Sequence, residues 1–514
     1  MKRLKKIKDK VTLHPIMAFL ILIAVTVIVS GILDVFDASV TYNKINVKTG
    51  SYESTLVTVD SLFTLSGLKY IFSNTVSNFV SFTPLSMILI VLIGIGIMDK
   101  SGLLDTLFFV FTKKTKKTTV TFVLSLICIV ASLTGDLCFV ALIPLSALLF
   151  KYGKRNPQIG IISSFAALAI GYGMNMTFNS VESQMVGATE LAASMVSGTY
   201  TINTFCNTII MFVGTILGAF LVTYVTEKIT APKIGKYEVE EEEIVTDKEK
   251  LTKREVRGLA LAAIGAIVYI LIVIYNVIPN MPFGGNFLDY SQARYIDKLF
   301  GYESFFNSGF VFVVVIFFFI VGLLYGFGTK NIQNHRDVCN WLSHSLDGIG
   351  KIIVLLFFAS MFISLLKYTN IGTLVTAGLC NLADGAEFSG IPLILLLFII
   401  SILSTILLPS FVNRWTILSG TFVPMMMTAG FTPEFAQVIF NTGSAIAYGL
   451  TPAMAYFVIY VSYLEKYNKD GAGLIKSIKY IIPYALVIGG MWLVLILLWY
   501  FIKIPLGISS FVIL

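Results

Sequence analysis

The amino-acid sequence predicts an all-α membrane protein of about nine transmembrane helices plus two re-entrant hairpins, arranged as two inverted repeats. Three observations carry this. The 514 residues are 56% hydrophobic and only 13% charged, with a mean hydropathy of +0.85, more apolar surface than a soluble fold can hide. The apolar runs recur at about 20 residues or more, the length that crosses the hydrocarbon layer. Two of the longest, SLICIVASLTGDLCFVALIPLSALLF and LFIISILSTILLPSFVNRWTILSGTFVPMMM, are broken by polar residues at corresponding places. Ionisable groups are costly in lipid, so such breaks point to a cavity or to pairing across the bundle.

The length rule places spans near 15–36, 83–112, 118–151, 158–178, 200–227, 257–278, 306–327, 350–367, 391–450 and 478–503. Segments 118–151 and 391–450 are too long for one crossing and must double back or break. The expected organisation is a cytoplasmic N-terminus and first helix (1–36), an external loop (37–82) and a first transport repeat with its hairpin (83–227). A charged cytoplasmic linker (228–256) then leads to middle helices for dimerisation or scaffolding (257–349). A second repeat with its hairpin (350–465), then a last helix and external C-terminus (466–514), complete it. The run AFLILIAVTVIVSGIL lacks a small-residue cleavage site after it and reads as a membrane helix rather than a signal peptide.

The net charge of +8 does not indicate nucleic acid, because the cations flank apolar spans. MKRLKKIKDK precedes the first, and Lys113, Lys114, Lys116 and Lys117 lie between two later ones. This is the positive-inside pattern of a multi-pass protein in a bacterial plasma membrane. The acidic run Glu240 to Glu243 reads as a solvated linker. The five cysteines are scattered without a CxxC pair and read as packing residues. There is no Walker A motif and no HExxH, and no second intramembrane Asp is found for a protease dyad. No His lies in a predicted span, so neither ATP hydrolysis, intramembrane proteolysis nor a His relay is expected, and no cofactor.

Asp136, in LTGDL, is the first candidate: it can coordinate a cation or carry a proton, or it can simply cap the helix that follows. Asn175, Asn179 and Glu182 follow in GYGMNMTFNSVES, where Gly171 and Gly173 allow the helix to unwind. The Asn carbonyls can replace water around Na⁺ there; the alternative is an extramembrane turn. Possible Na⁺ ligation is placed near Asp136, Asn175 and Asn413. In the second half, Ser410, Asn413 and Arg414 mark the corresponding break. Arg414 is a fork for a carboxylate, either a substrate's or that of Asp136, unless it snorkels to an interface. Trp415 beside it stacks on an aromatic ligand or sits at the membrane interface. Asn441, Gly443, Ser444, Thr451 and Pro452, in NTGSAIAYGLTP, form a second unwinding or an ordinary kink.

At these segments the chain resembles the AbgT family of aminobenzoyl-glutamate transporters. The resemblance rests on FTPLSMILIVLIGIGIMDKSGLL, TGDLCFVALIPLSALLF, GYGMNMTFNSVESQMVGATELAA, FVNRWTILSGTFVPMMMTAGFTPEFAQ and GLTPAMAYFVIYVSYLEKY. It implies a homodimer, each subunit with nine helices and two hairpins around a cytoplasm-facing basin. It also implies aromatic amide substrates bearing a carboxylate. By position, Asp136 matches the family's Asp in an AADAGYVVLIPL-like stretch, Asn175 the Asn of SANL, and Glu182 an Asp in a TDPLLAG-like motif. Trp415 matches a Trp after the second hairpin's turn, and Thr451 and Pro452 match ITP. Where the family reads RIGDSSTN this chain has NTGSAIAY, so Asn441 replaces Arg and Ser444 replaces Asp, while Arg414 takes a position usually Lys or Ala-like.

The expectation is therefore an ion-coupled secondary transporter of a small aromatic organic anion, most simply p-aminobenzoyl-glutamate, with Na⁺ or H⁺ as the coupling ion. Trp415 would stack on the ring, Arg414 would meet the carboxylate, and coupling would rest on Asp136 and Glu182. The alternatives are an H⁺-antiport exporter of sulfonamide-like antimetabolites and, in another class, a channel.

Overall fold

Pro15 starts helix α1 (Pro15–Val35), and the free N–H of Ile16 is taken by the His14 ring at 3.3 Å. In this computed structural model the described residues are 13–46, 51–173, 180–203, 205–237, 250–301, 304–384, 388–468 and 471–514. Among them, nine helical segments are long and apolar enough to cross a membrane. The expected helical membrane protein is what the chain forms.

Segment 37–82, expected as an external loop, carries secondary structure of its own. Strands β1 (Ser39–Asn46) and β2 (Ser51–Thr58) form an antiparallel hairpin, and helix α2 (Leu65–Val80) follows. In SVTYNKIN and SYESTLVT, β-branched and aromatic residues alternate with polar ones, a period of two that a search for apolar runs does not detect.

One order of elements then occurs twice. The first set is α3 (Thr83–Lys100), the short α4 (Leu103–Lys113), a hairpin of α5 (Lys117–Ala131) and α6 (Leu137–Tyr152), and a broken helix of α7 (Pro157–Gly171) and α8 (Ser180–Ser197). Helix α9 (Thr208–Val225) closes it, continuing through a π turn at Thr226–Thr230. Between the sets lie α10 (Lys253–Val277), α11 (Tyr295–Phe300), α12 (Phe305–Thr329) and α13 (His335–His344). The second set is α14 (Gly350–Tyr368), the short α15 (Ile371–Asp384), a hairpin of α16 (Gly390–Leu407) and α17 (Phe411–Thr428), and a broken helix of α18 (Pro433–Tyr448) and α19 (Phe457–Lys466). Helix α20 (Leu474–Ile502) closes that set.

The predicted spans 118–151 and 391–450 both break, the first at residues 132–136 and the second at 408–410 and again at 429–432. Span 200–227 begins late, at Thr208, and helix α8 occupies residues between the predicted spans 158–178 and 200–227, to which the sequence assigns no helix. The core is built where the two sets meet. Helix α8 of the first packs on α17 of the second, α7 packs on α18 and α19, and α9 packs on α20. Helices α10 and α12 pair with each other and reach the rest through α3, leaving α10 mostly exposed. The β-hairpin covers the second hairpin, with Tyr42 and Val57 buried against Ala377 and Ile417.

Candidate functional site

Four interruptions of helix, at 132–136, after Tyr172, at 408–410 and at 449–456, converge. The first is made by Gly135, whose φ of +60° and ψ of −137° are accessible to little besides glycine. It presents Asp136 at the mouth of α6, but the carboxylate caps no backbone N–H. Instead Asp136 Oδ1 accepts from the Tyr172 hydroxyl at 3.1 Å and Oδ2 from the Tyr456 hydroxyl at 3.1 Å. The tip of one hairpin is thereby tied to the breaks of both discontinuous helices.

An aromatic wall joins the remaining interruption. Phe139 stacks on Tyr456 at 5.6 Å, Tyr172 meets Tyr448 at 5.0 Å, and Phe411 lies 5.2 Å from both Tyr172 and Tyr448. Thr451 Oγ1 donates to Ile406 O at 2.6 Å, closing the second break onto the second hairpin. Beside Asp136 is a cavity of about 330 Å³, lined by Met87, Thr134 and Tyr172 on one side and by Phe300, Phe306, Asn307 and Phe310 on the other. Its size and mixed lining are those of a small-molecule site.

Behind the aromatic wall a buried polar chain links the two halves. Gln437 Nε2 donates to Glu182 Oε1 at 2.7 Å, while Asn441 Nδ2 approaches Oε2 at 3.5 Å. Thr189 Oγ1 donates to Gln437 Oε1, and Trp415 Nε1 donates to Thr189 Oγ1, both at 2.8 Å. Deeper still, Arg414 is completely buried. Its Nη1 donates to Ser401 O at 3.1 Å, to Ser444 Oγ at 2.9 Å and to Thr405 Oγ1, while Phe411 and Phe440 flank the guanidinium at 5.1 Å. Nε and Nη2 have no hydrogen-bond partner among the described residues. A buried cation without a counter-charge is costly, so it is normally retained for use.

Two hairpins, two broken helices and one shared site between repeats describe an alternating-access transporter rather than a pore. The sequence profile of the AbgT putative transporter family matches residues 1–514. The chain belongs to the AbgT family. It is similar to the p-aminobenzoyl-glutamate transport protein of Escherichia coli K12, 25% identical over 503 residues that cover 98% of this chain and 95% of that one. It resembles the structure of MtrF from Neisseria gonorrhoeae, described among a class of antimetabolite efflux pumps, with 28% identity, a TM-score of 0.51 and 99% coverage of each chain. The YdaH transporter of Alcanivorax borkumensis matches at 24% identity and a TM-score of 0.49, over 96% of this chain and 100% of that one. The protein is therefore a multi-pass membrane transporter of the AbgT kind.

Within this AbgT protein the candidates fall into distinct places. Asn175 and Asn179 lie outside the described residues. Asp136 faces the 330 Å³ cavity, whereas Ser410 and Asn413 line another, of about 450 Å³, with Asn370 and Thr416. The Na⁺ grouping of Asp136 with Asn413 is corrected accordingly: the first turn of α17 turns Asn413 outward, where it is exposed. Ser410 caps that turn, accepting from Asn413 N at 3.4 Å.

Arg414 does not pair with Asp136, because the Asp136 oxygens face the tyrosines and Nη1 faces Ser444. Trp415 is fully buried against Phe440 at 4.7 Å, so it offers no face to a ligand in this conformation. Glu182 begins α8 rather than an unwound stretch. Asn441, Gly443 and Ser444 lie inside continuous helix α18, and the unwinding starts only beyond Tyr448. Thr451 and Pro452 do occupy that irregular segment.

Gly443 is explained by packing: a Cβ there would stand 2.8 Å from Phe398 O of α16. Gly443→Ala is expected to cost about 1–3 kcal/mol by overpacking, read as a lowered midpoint in thermal unfolding of the purified protein. An unchanged midpoint would show that α16 and α18 separate freely.

Sequence reasoning missed Tyr172, Tyr448, Tyr456, Thr189 and Gln437. One signal was present: a Tyr-Gly pair sits at both breaks, Tyr172-Gly173 and Tyr448-Gly449.

Proposed function

We propose that the protein is an ion-coupled secondary transporter of a small aromatic organic anion, p-aminobenzoyl-glutamate or a related aromatic amide. The observation that carries this reading is Arg414, a fully buried guanidinium with two unused donor groups behind a wall of aromatic rings. Arg414 lies one turn inside the tip of the second hairpin, at Ser410. Movement of that tip brings the fork to a carboxylate, while Phe411, Tyr172 and Tyr448 receive the ring. Similarity to the E. coli p-aminobenzoyl-glutamate transport protein supports the substrate class.

Asp136 supplies the reason for coupling. An anionic substrate entering beside an ionised carboxylate is repelled, so its entry favours neutralisation of Asp136 by Na⁺ or H⁺. The tyrosine hydroxyls hold the carboxylate in place while the cation arrives. Glu182 is a further carboxylate, buried between the repeats, and its amide partners Gln437 and Asn441 can turn to suit either protonation state. Substrate leaves chemically unchanged, and the protein is read as a carrier rather than an enzyme.

The charge pattern supports a plasma-membrane location with the N-terminus cytoplasmic. The exposed apolar face of α10, with Ile264, Ile267 and Leu271, supports a homodimer or lipid contact there.

Reconstituted vesicles test the whole reading, with labelled p-aminobenzoyl-glutamate under separate Na⁺ and H⁺ gradients. Saturable uptake driven by one gradient is expected, whereas non-saturating flux indifferent to both overturns it. Gradient-driven export in place of uptake would support the alternative reading, an exporter like MtrF. Glu182→Gln keeps both amide contacts and removes the charge. It is expected to fold normally and to lower gradient-driven flux at least about tenfold, about 1.4 kcal/mol. Wild-type flux in that variant removes Glu182 from the coupling.

A further inference from the structure

The cavity of about 450 Å³ lies against the tip of the second hairpin and belongs to neither the Asp136 cavity nor the Arg414 pocket. Pro409 and Ser410 of the tip line it, while the next residue, Phe411, joins the aromatic wall. Asn413, Thr416 and Ile417 present one face of α17 to it, and Arg414 is turned to another. Ala453, in the irregular segment beyond Tyr448, lines it too. The hairpin tip and the second helix break thus separate this cavity from the aromatic site. Helix α14 begins beside His14 and ends beside the cavity, at Lys367, after a span long enough to cross the membrane. The cavity is therefore at the end of α14 opposite the chain's N-terminus, the outer side in the proposed orientation.

Two cations reach it. Tyr42 is buried against Ala377 and Ile417, and the two-residue period of a strand sets Lys44 on the same face, toward the cavity. The β-hairpin is held there by Asn381 Nδ2, which donates to Thr41 O at 2.8 Å, and by Asp60 N, which donates to Thr369 O at 3.4 Å. Lys367 enters from α14. Neither lysine forms an ion pair among the described residues. Two carboxylates belong to the same segment, and neither lines the cavity. Asp60 accepts from Asn370 Nδ2 at 3.0 Å, and Glu53, opposite Lys44 across the hairpin, accepts from Ser51 Oγ at 2.8 Å. Helices α15 and α17 both begin at this wall, and their first N–H groups add partial positive charge. The remaining lining is mixed, with Ile363, Leu366 and Leu408 beside Thr373. Two cations and an apolar flank in one cavity suit a small anion with a hydrocarbon or aromatic body. Inorganic phosphate meets the lysines and leaves the apolar flank without a partner.

We infer that this cavity is a separate binding site for the transported organic anion, its carboxylates held by Lys44 and Lys367 and its apolar body against Ile363 and Leu408, on the outer side of the closed hairpin tip. The inference rests on the proposed carriage of an organic anion and adds a second station to its path.

The test places a thiol in the cavity of the full-length protein in detergent. Asn413, exposed in the wall, is changed by Asn413→Cys, with Cys339→Ser removing the one exposed native cysteine. Relative to free cysteine, an anionic thiosulfonate is expected to modify the introduced thiol at least about tenfold faster than a cationic one of similar size. Lys44→Gln with Lys367→Gln is expected to erase that preference, and Lys44→Arg with Lys367→Arg to keep it. p-Aminobenzoyl-glutamate is expected to protect the thiol, while p-aminobenzamide, which lacks a carboxylate, and inorganic phosphate at equal concentration do not. Equal rates for the two reagents, a preference that survives the Gln pair, or equal protection by phosphate each overturns the inference. In vesicles the Gln pair is expected to raise the half-saturating substrate concentration at least about tenfold with the maximal rate within about twofold of wild type. Loss of the charge preference with flux intact removes this site alone, whereas absence of gradient-driven flux in the wild type removes the transport reading on which it rests.

Discussion

Asp136→Asn is expected to abolish concentrative uptake while leaving exchange of substrate across the membrane. The substitution preserves shape. An amide oxygen still accepts from the Tyr172 hydroxyl, and the amide N–H₂ can donate to the Tyr456 oxygen, so both 3.1 Å contacts survive with one reversed. What disappears is the charge that, in the proposed coupling, an ion neutralises before an anion enters. Substrate and ion then bind independently, and a carrier without differential binding transmits no work from the gradient. The accumulation ratio under an imposed gradient should fall at least about tenfold, about 1.4 kcal/mol of lost coupling. Counterflow without a gradient should stay within about twofold of wild type. Measuring both in the same vesicles separates lost coupling from a damaged protein. Wild-type accumulation by Asp136→Asn would place coupling elsewhere, with Glu182 and Glu434 both buried carboxylates that bridge the repeats.

Arg414→Met should separate function from stability in the opposite sense to most core substitutions. Methionine has similar length and fits between Phe411 and Phe440. The loss of three Nη1 hydrogen bonds is offset by removing a buried charge that has no carboxylate beside it among the described residues. Thr405 already donates to Ser401 O at 2.6 Å, so its hydroxyl is not orphaned. Replacing buried charge by apolar volume is commonly neutral or stabilising by about 1–4 kcal/mol. The thermal midpoint is therefore expected to hold or rise, while saturable transport of the anion falls at least about a hundredfold, about 2.7 kcal/mol. A variant that loses stability and transport together shows that Arg414 serves packing alone, and one that keeps transport removes it from substrate recognition.

The helices of both repeats were legible because a membrane span is a composition statement: length and hydropathy suffice. The β-hairpin and α8 were not. Strands β1 and β2 carry a two-residue alternation within a polar loop, and α8 begins SVESQ, whose Glu182 meets Gln437 and Asn441 of the other repeat and whose Ser183 donates to Asp297. Helix α18 erred in the other direction. Gly443, Ser444 and Asn441 look like an unwinding, yet Gly443 admits the α16 backbone and Ser444 accepts from Arg414, both from within a regular helix.

The charged residues of the site divide in the same way. That Asp136, Glu182 and Arg414 are candidates is read from their cost in an apolar context, which is a property of sequence. Which group each meets is not, because Asp136 to Tyr456 and Glu182 to Gln437 join residues hundreds of positions apart. By itself the sequence determined a multi-pass helical transporter with two broken segments and a buried acid in the first. Only the tertiary structure decided that the acid answers to tyrosines and that the arginine, behind an aromatic wall, meets no carboxylate among the described residues. The physical reason is that hydrophobicity acts residue by residue along a chain, whereas hydrogen bonds and counter-charges depend on which segments the packing brings within 3 Å or so of one another.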